Sequence, residues 1–135
     1  MGKKAILCVD DESMILESLK EQIEKRLGDD YIYETAENAE EGLEVIEELV
    51  EEGTEVLIIV SDWLMPGIKG DEFLVEVHKR FPGIVNVMLT GQAQEDAIEN
   101  AKQNANLHAC LFKPWAEDDL INTIKTGLDK LSLKK

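Results

Sequence analysis

Glu55-Val56-Leu57-Ile58-Ile59-Val60 is the most apolar stretch of the chain, and it stops abruptly at Ser61-Asp62. A continuous run of this kind suits a central strand covered on both faces. A strand with one wet face would alternate apolar and polar residues instead. Met65-Pro66-Gly67 follows, with proline and glycine in the order a tight turn needs. A buried strand that ends on an acid and then turns sharply is the unit from which the rest of the chain is read.

Upstream, Ala5-Ile6-Leu7-Cys8-Val9 is a shorter run of the same kind, ending at Asp10-Asp11. Between the two runs, Ile15, Leu19, Ile23 and Leu27 recur at every fourth position of a helix over 14–27, which gives it a single apolar face. Gly28 and two aspartates end that helix. Residues 31–36 are aromatic and β-branched but polar at alternate points, as an edge strand is. Asn38 and Glu41 have the spacing of a helix-capping pair, and Leu43, Ile46, Leu49 and Val50 mark the helix behind them.

Downstream, Phe73, Leu74, Val77 and Phe81 predict a third helix, stopped by Pro82-Gly83. A fourth strand over 84–89 ends at Thr90-Gly91. A weaker helix over 94–105 carries Ala97, Ile98, Ala101 and Ala105 as small contacts. A fifth strand over 107–112 ends at Lys113-Pro114, and Leu120, Ile124, Leu128 and Leu131 mark the last helix. Five βα units in series predict an α/β fold with a parallel sheet and helices on both faces. Right-handed crossovers leave few topologies for it. One domain spans 1–135, with a core of about 4–130.

The chain has 135 residues and is 44% apolar, which argues against a disordered chain. Its 14 basic and 29 acidic residues give a net charge of −15. Such a surface repels phosphate backbones and anionic membranes, so neither nucleic acid nor a membrane is an expected partner. Cys8 and Cys110 lie in apolar stretches and are expected as two buried free thiols, which suits a reducing cytoplasm. The opening residues go straight into a strand pattern without the apolar core of a signal peptide.

The polar strand ends carry the chemistry. Asp10, Asp11, Asp62, Thr90 and Lys113 end strands one, three, four and five, and in a parallel sheet those ends share one edge, where open α/β sheets bind their ligands. Three carboxylates in one pocket need a cation between them, or their pKa values must rise. Mg²⁺ suits a small oxygen-lined site that meets a phosphoryl group. A carboxylate beside it can attack phosphorus, and Lys113 and Thr90 can share the charge on the transferred group. Taken singly each residue has a plainer use: Asp11 as a helix cap, Lys113 as a surface lysine, Thr90-Gly91 as a turn. Their joint placement at the correct strand ends favours the shared site.

Val9-Asp10-Asp11-Glu12, Ser61-Asp62 followed by Met65-Pro66-Gly67, Leu89-Thr90-Gly91 and Phe112-Lys113-Pro114 together resemble the signatures of bacterial response-regulator receiver domains, over about residues 4–130. The resemblance implies a flavodoxin-like (βα)5 fold with strand order 2-1-3-4-5. It implies Asp62 as the phosphoacceptor, fed by a sensor histidine kinase or a histidine phosphotransfer protein. Asp11 and Asp62 would hold Mg²⁺ directly, with the Leu64 backbone carbonyl as a further ligand and Asp10 acting through a water. Lys113 would pair with the phosphoryl group, Thr90 would move towards it, and the Lys113-Pro114 bond would be cis. The domain would control a partner or an attached output, with a homodimer as a further possibility, and would not be an enzyme with turnover.

One position departs from the pattern: Cys110 stands where many members carry an aromatic switch residue, and a thiol cannot gate a surface as a ring does. Two alternatives stand beside this reading. A pseudo-receiver would serve as a binding module only, but it would not need the full acidic set. A phosphatase of the haloacid dehalogenase type places a second Asp two residues after its nucleophile, where this chain has Leu64. Trp63 and Trp115 are expected at the same sheet edge as the pocket.

Overall fold

The computed structural model describes residues 3–91 and 95–133. Among these, β1 (Lys4–Val9), β2 (Ile32–Ala36), β3 (Glu55–Asp62), β4 (Val85–Thr90) and β5 (Ala109–Phe112) form one parallel sheet in the order β2-β1-β3-β4-β5. The connections are α1 (Ser13–Leu27), α2 (Ala39–Glu51), α3 (Gly70–Arg80), α4 (Glu95–Asn104) and, after β5, α5 (Glu117–Leu133). The expected helix start at Gln94 lies outside the described residues.

Side chains of successive strand residues point to opposite faces, and β1 shows both faces in use. Ala5, Leu7 and Val9 join Ile46 of α2, Phe73, Leu74 and Val77 of α3 and Ala101 of α4. Ile6 and Cys8 join Leu16, Leu19 and Ile23 of α1 and Leu120, Ile121 and Ile124 of α5. Each Leu, Ile, Val or Phe side chain among these contributes roughly 1.5–3 kcal/mol by leaving water. This two-sided cover is the reason why residues 56–60 are apolar without a break.

Capping and turn chemistry act where the sequence placed them. The Asn38 side chain accepts a hydrogen bond from the Glu41 N–H at 2.8 Å, starting α2. Gly67 has φ +80°, which the third residue of a type II turn after proline requires.

β3 ends at Asp62, as expected, with Ser61 and Asp62 pairing with Val9 of β1 and Leu89 of β4. Three expectations need correction. β5 begins at Ala109 and not at Leu107: Asn106 takes a left-handed φ of 49°, and the Leu107 N–H bonds back to the Ala101 carbonyl to close α4. Val50 is 46% exposed, since Ala39, Gly42, Ile46 and Leu49 form the buried face of α2. Cys8 is buried as expected, but Cys110 is only half-buried, because β5 is an edge strand and its residues are incompletely covered. Both thiols are free.

Gly70 decides how α3 meets the sheet. Its N–H donates to the Trp63 carbonyl at 2.8 Å. A Cβ at this position would collide with the Asp62 carbonyl oxygen and lie 2.7 Å from the Trp63 Cα, both backbone atoms. Gly70→Ala is therefore expected to destabilise the fold by about 1–3 kcal/mol, the usual cost of overpacking. Chemical denaturation measures this, and an unchanged midpoint would contradict the close approach.

Candidate functional site

The parallel registers bring the strand ends together. Val9 pairs with Ser61 and Asp62 with Leu89, so Asp10 comes to lie beside Asp62, and Thr90 pairs with Phe112, just before Lys113. The Lys113 N–H donates to the Thr90 carbonyl at 2.8 Å, fixing the lysine to the end of β4. Its ammonium lies 2.9 Å from Asp10 Oδ2 and 3.2 Å from Asp62 Oδ1. Asp10 is fully buried, Asp62 is 4% and Thr90 is 1% exposed, and Asp11 stands at the open rim. A cleft of about 580 Å³ opens over them, lined by Asp11, Asp62, Leu64, Lys69, Gly91 and Lys113 among others. The structure thus brings Asp10, Asp11, Asp62 and Lys113 together, with the Leu64 segment lining the same cleft and Thr90 beside it at the end of β4, whereas Cys110 packs against the core. The Lys113-Pro114 bond is cis, as expected.

Asp10, Asp11 and Asp62 each offer a carboxylate oxygen, and these oxygens lie within 4.8 Å of one another. An all-oxygen, anionic donor set of this kind fits a hard divalent cation such as Mg²⁺. Both Asp10 oxygens are already engaged within the protein: Oδ2 with Lys113, Oδ1 as acceptor for the Glu12 N–H at 2.9 Å.

The comparisons agree with this geometry. The family model for the response regulator receiver domain matches residues 6–125. The chain belongs to the response regulator receiver family. It is 29% identical over 96% of its length to the hydrogenase transcriptional regulatory protein HoxA of Cupriavidus necator, of which it covers 25%. It is 32% identical over 96% of its length to the sensor kinase CckA of Brucella abortus, of which it covers 13%. The chain therefore spans a quarter or less of these two relatives. A CheY-like receiver domain protein from Methanospirillum hungatei superposes with a TM-score of 0.86 at 33% identity, covering 99% of this chain and all of that one. The flavodoxin-like order 2-1-3-4-5 is shared with it. A receiver is a signalling domain of two-component phosphorelays and not a conventional enzyme. Among the described residues no helix is long and apolar enough to cross a membrane.

The electrostatics of this receiver follow from its crowding. Burial pushes the Asp62 carboxyl up and the charge of Asp10 adds to it. Lys113 pulls the other way without cancelling them, so the group titrates at about 6. Burial pushes the Lys113 ammonium down, but the hydrogen bond to Asp10 and the charge of Asp62 outweigh it, and its pKa ends above the ordinary lysine value. Cys8 behind the site is pushed up to about 12 by burial, with the charge of Asp10 adding to it, and is no nucleophile.

The two tryptophans do sit at the carboxyl edge, but on opposite faces of the sheet. Trp115 packs with α1 and α5 and donates to Gln22 at 2.8 Å, whereas Trp63 packs with α2, α3 and α4. Sequence reading missed Gly70 and Asp71. The run Gly70-Asp71 after a turn looks like an ordinary helix start, and only the contacts of Asp71 with Trp63 and Asn100 reveal more.

The raised Asp62 pKa fixes a pH dependence. In metal-free protein the folded state holds a proton up to about pH 6 that the unfolded chain releases near 3.8. Asp62 therefore costs stability progressively as pH rises through that window. Asp62→Asn is expected to be the more stable protein at pH 7, by roughly 1–3 kcal/mol since the cleft is open to screening water. The gap should close as pH falls below the window. Denaturation of both proteins without divalent ions across the range tests this, and a gap independent of pH would refute it.

Proposed function

We propose that this receiver takes a phosphoryl group onto Asp62 in a Mg²⁺-dependent reaction, from a phosphohistidine on a sensor histidine kinase or a histidine phosphotransfer protein. A nearly buried carboxylate held 3.2 Å from a lysine, beside two further acids, carries this reading. Asp11, Asp62 and the Leu64 carbonyl would hold the metal. Asp10 would act only through a water, in keeping with its two oxygens being engaged by Lys113 and the Glu12 N–H. When bound, Mg²⁺ neutralises the crowded carboxylates and draws charge from the phosphoryl oxygens.

An Asp62 carboxylate oxygen bonds to phosphorus while the phosphorus–nitrogen bond of the donor breaks, and the imidazole keeps that electron pair. Lys113 leaves Asp62 for a phosphoryl oxygen without losing its hold on Asp10, so the buried acid stays paired throughout. Thr90, buried at the end of β4, supplies a hydroxyl to the same group. The product alters the surface that a partner protein or an attached output senses, in the cytoplasm, with 1–135 as a single receiver domain and a homodimer as one form of readout. The complete acidic set is the observation that favours this over a binding-only pseudo-receiver.

Incubation with Mg²⁺ and a small phosphodonor such as acetyl phosphate is expected to raise the intact mass by one phosphoryl group, and Asp62→Asn to abolish the gain. Equal labelling of the variant would overturn the assignment. Mg²⁺ alone at ten times its Kd is expected to stabilise the protein by about 1.4 kcal/mol and to change Trp63 fluorescence with saturation. Both effects should be lost in Asp11→Ala. A melting temperature indifferent to millimolar Mg²⁺ would remove the metal from this site.

A further inference from the structure

Asp71 lies in the first turn of α3, is 8% exposed, and has no lysine or arginine within ion-pair distance among the described residues. A buried carboxylate is costly unless its oxygens are hydrogen-bonded. Here each oxygen has one neutral donor, and the two donors come from different parts of the fold. Oδ1 accepts from Trp63 Nε1 at 2.9 Å, and Oδ2 accepts from Asn100 Nδ2 of α4 at 2.9 Å. The Asn100 oxygen accepts in turn from Asn104 Nδ2 at 2.8 Å, one turn further along α4.

Trp63 directly follows Asp62 and is held at three points. Its N–H donates to the Leu89 carbonyl at 2.9 Å, its carbonyl accepts from the Gly70 N–H at 2.8 Å, and its indole reaches Asp71. The backbone on either side of the indole thus has little freedom to absorb a shift of Asp62 or Leu64. Such a shift must be passed to the indole nitrogen, and the shared carboxylate is the next atom group in line. A leucine at position 71 would fill the same space between α3 and α4, but could not tie Trp63 to Asn100.

We propose that Asp71 is a positioning residue that couples the phosphoacceptor pocket to α4, one carboxylate bridging the Trp63 indole and the Asn100 amide. The inference rests on the reading of Asp62 as phosphoacceptor. It gives this chain a route from pocket to surface that does not pass through Cys110, whose thiol has no ring to swing. Charge-assisted hydrogen bonds depend steeply on distance and angle, so a small displacement of the indole re-weights the bond to Asn100 on the other oxygen.

Nitrogen-15 NMR of the whole chain tests it, following the Trp63 indole N–H, the Asn100 side-chain amide and the backbone amides of α4. The protein is measured alone, with Mg²⁺, and with Mg²⁺ plus beryllofluoride. In wild type all three sets of signals are expected to move with beryllofluoride. In Asp71→Asn, which keeps the shape but replaces one acceptor by a donor, the α4 response should vanish, and Mg²⁺ should bind about tenfold more weakly, the lower range for loss of a residue that orients a ligand. Asn100→Ala leaves the Trp63–Asp71 bond in place and guards against misfolding of the first variant. There the indole should still respond and α4 should not.

An α4 response of wild-type size in both variants, or a silent Asn100 in wild type beside a moving Trp63, would overturn the coupling while leaving the phosphoacceptor reading intact. A wild type in which beryllofluoride moves nothing around Asp62 would overturn that reading, and the coupling with it.

Discussion

The pairing of Lys113 with both Asp10 and Asp62 is the contact on which the site depends. Parallel register forces the ends of β1 and β3 side by side, and both ends are acidic. Two carboxylates so placed repel one another, and burial deprives them of the water that would screen the repulsion. One ammonium, delivered from the far edge strand and clipped to Thr90 by its own backbone, lies between them. The compensation is incomplete: burial and the charge of Asp10 still hold the Asp62 carboxyl up at about 6. A cation bound between the crowded carboxylates would relieve that remaining repulsion.

The surrounding framework keeps that arrangement narrow. Gly70 lets the start of α3 press against the backbone of Asp62 and Trp63, which no residue with a Cβ could do. Pro66 and Gly67 turn the chain so that it returns in time to make this contact. Asp71, the next residue, ties the same segment to α4. On the other face, Trp115 and Gln22 hold the loop after Lys113 against α1, and Arg26 reaches Glu117 and Asp118 at 3.1 and 3.0 Å. Exposed ion pairs of this kind are worth little in stability, so the anchoring of the lysine loop rests chiefly on the tryptophan and the buried face of α5.

Relatives as different as a transcriptional regulator and a sensor kinase carry a similar segment as a small share of their length. Over nearly the whole chain the fold is that of a solved CheY-like receiver domain protein. Loops and helix faces in general tolerate change that a buried strand does not.

The sequence by itself determined the number and order of the βα units, the two-sided burial of residues 56–60, the cap at Asn38 and the placement of five polar residues at the strand ends. These follow from periods and turn chemistry, which act over a few residues and leave a visible pattern. Tertiary structure decided what depends on partners distant in the chain. Leu107 closes α4 instead of opening β5, because its N–H finds the Ala101 carbonyl. Trp63 and Trp115 take opposite faces, and Asp71 becomes a bridge and not merely the acid of a helix start. No local pattern encodes these outcomes, since each is settled by which donor meets which acceptor once the sheet has closed.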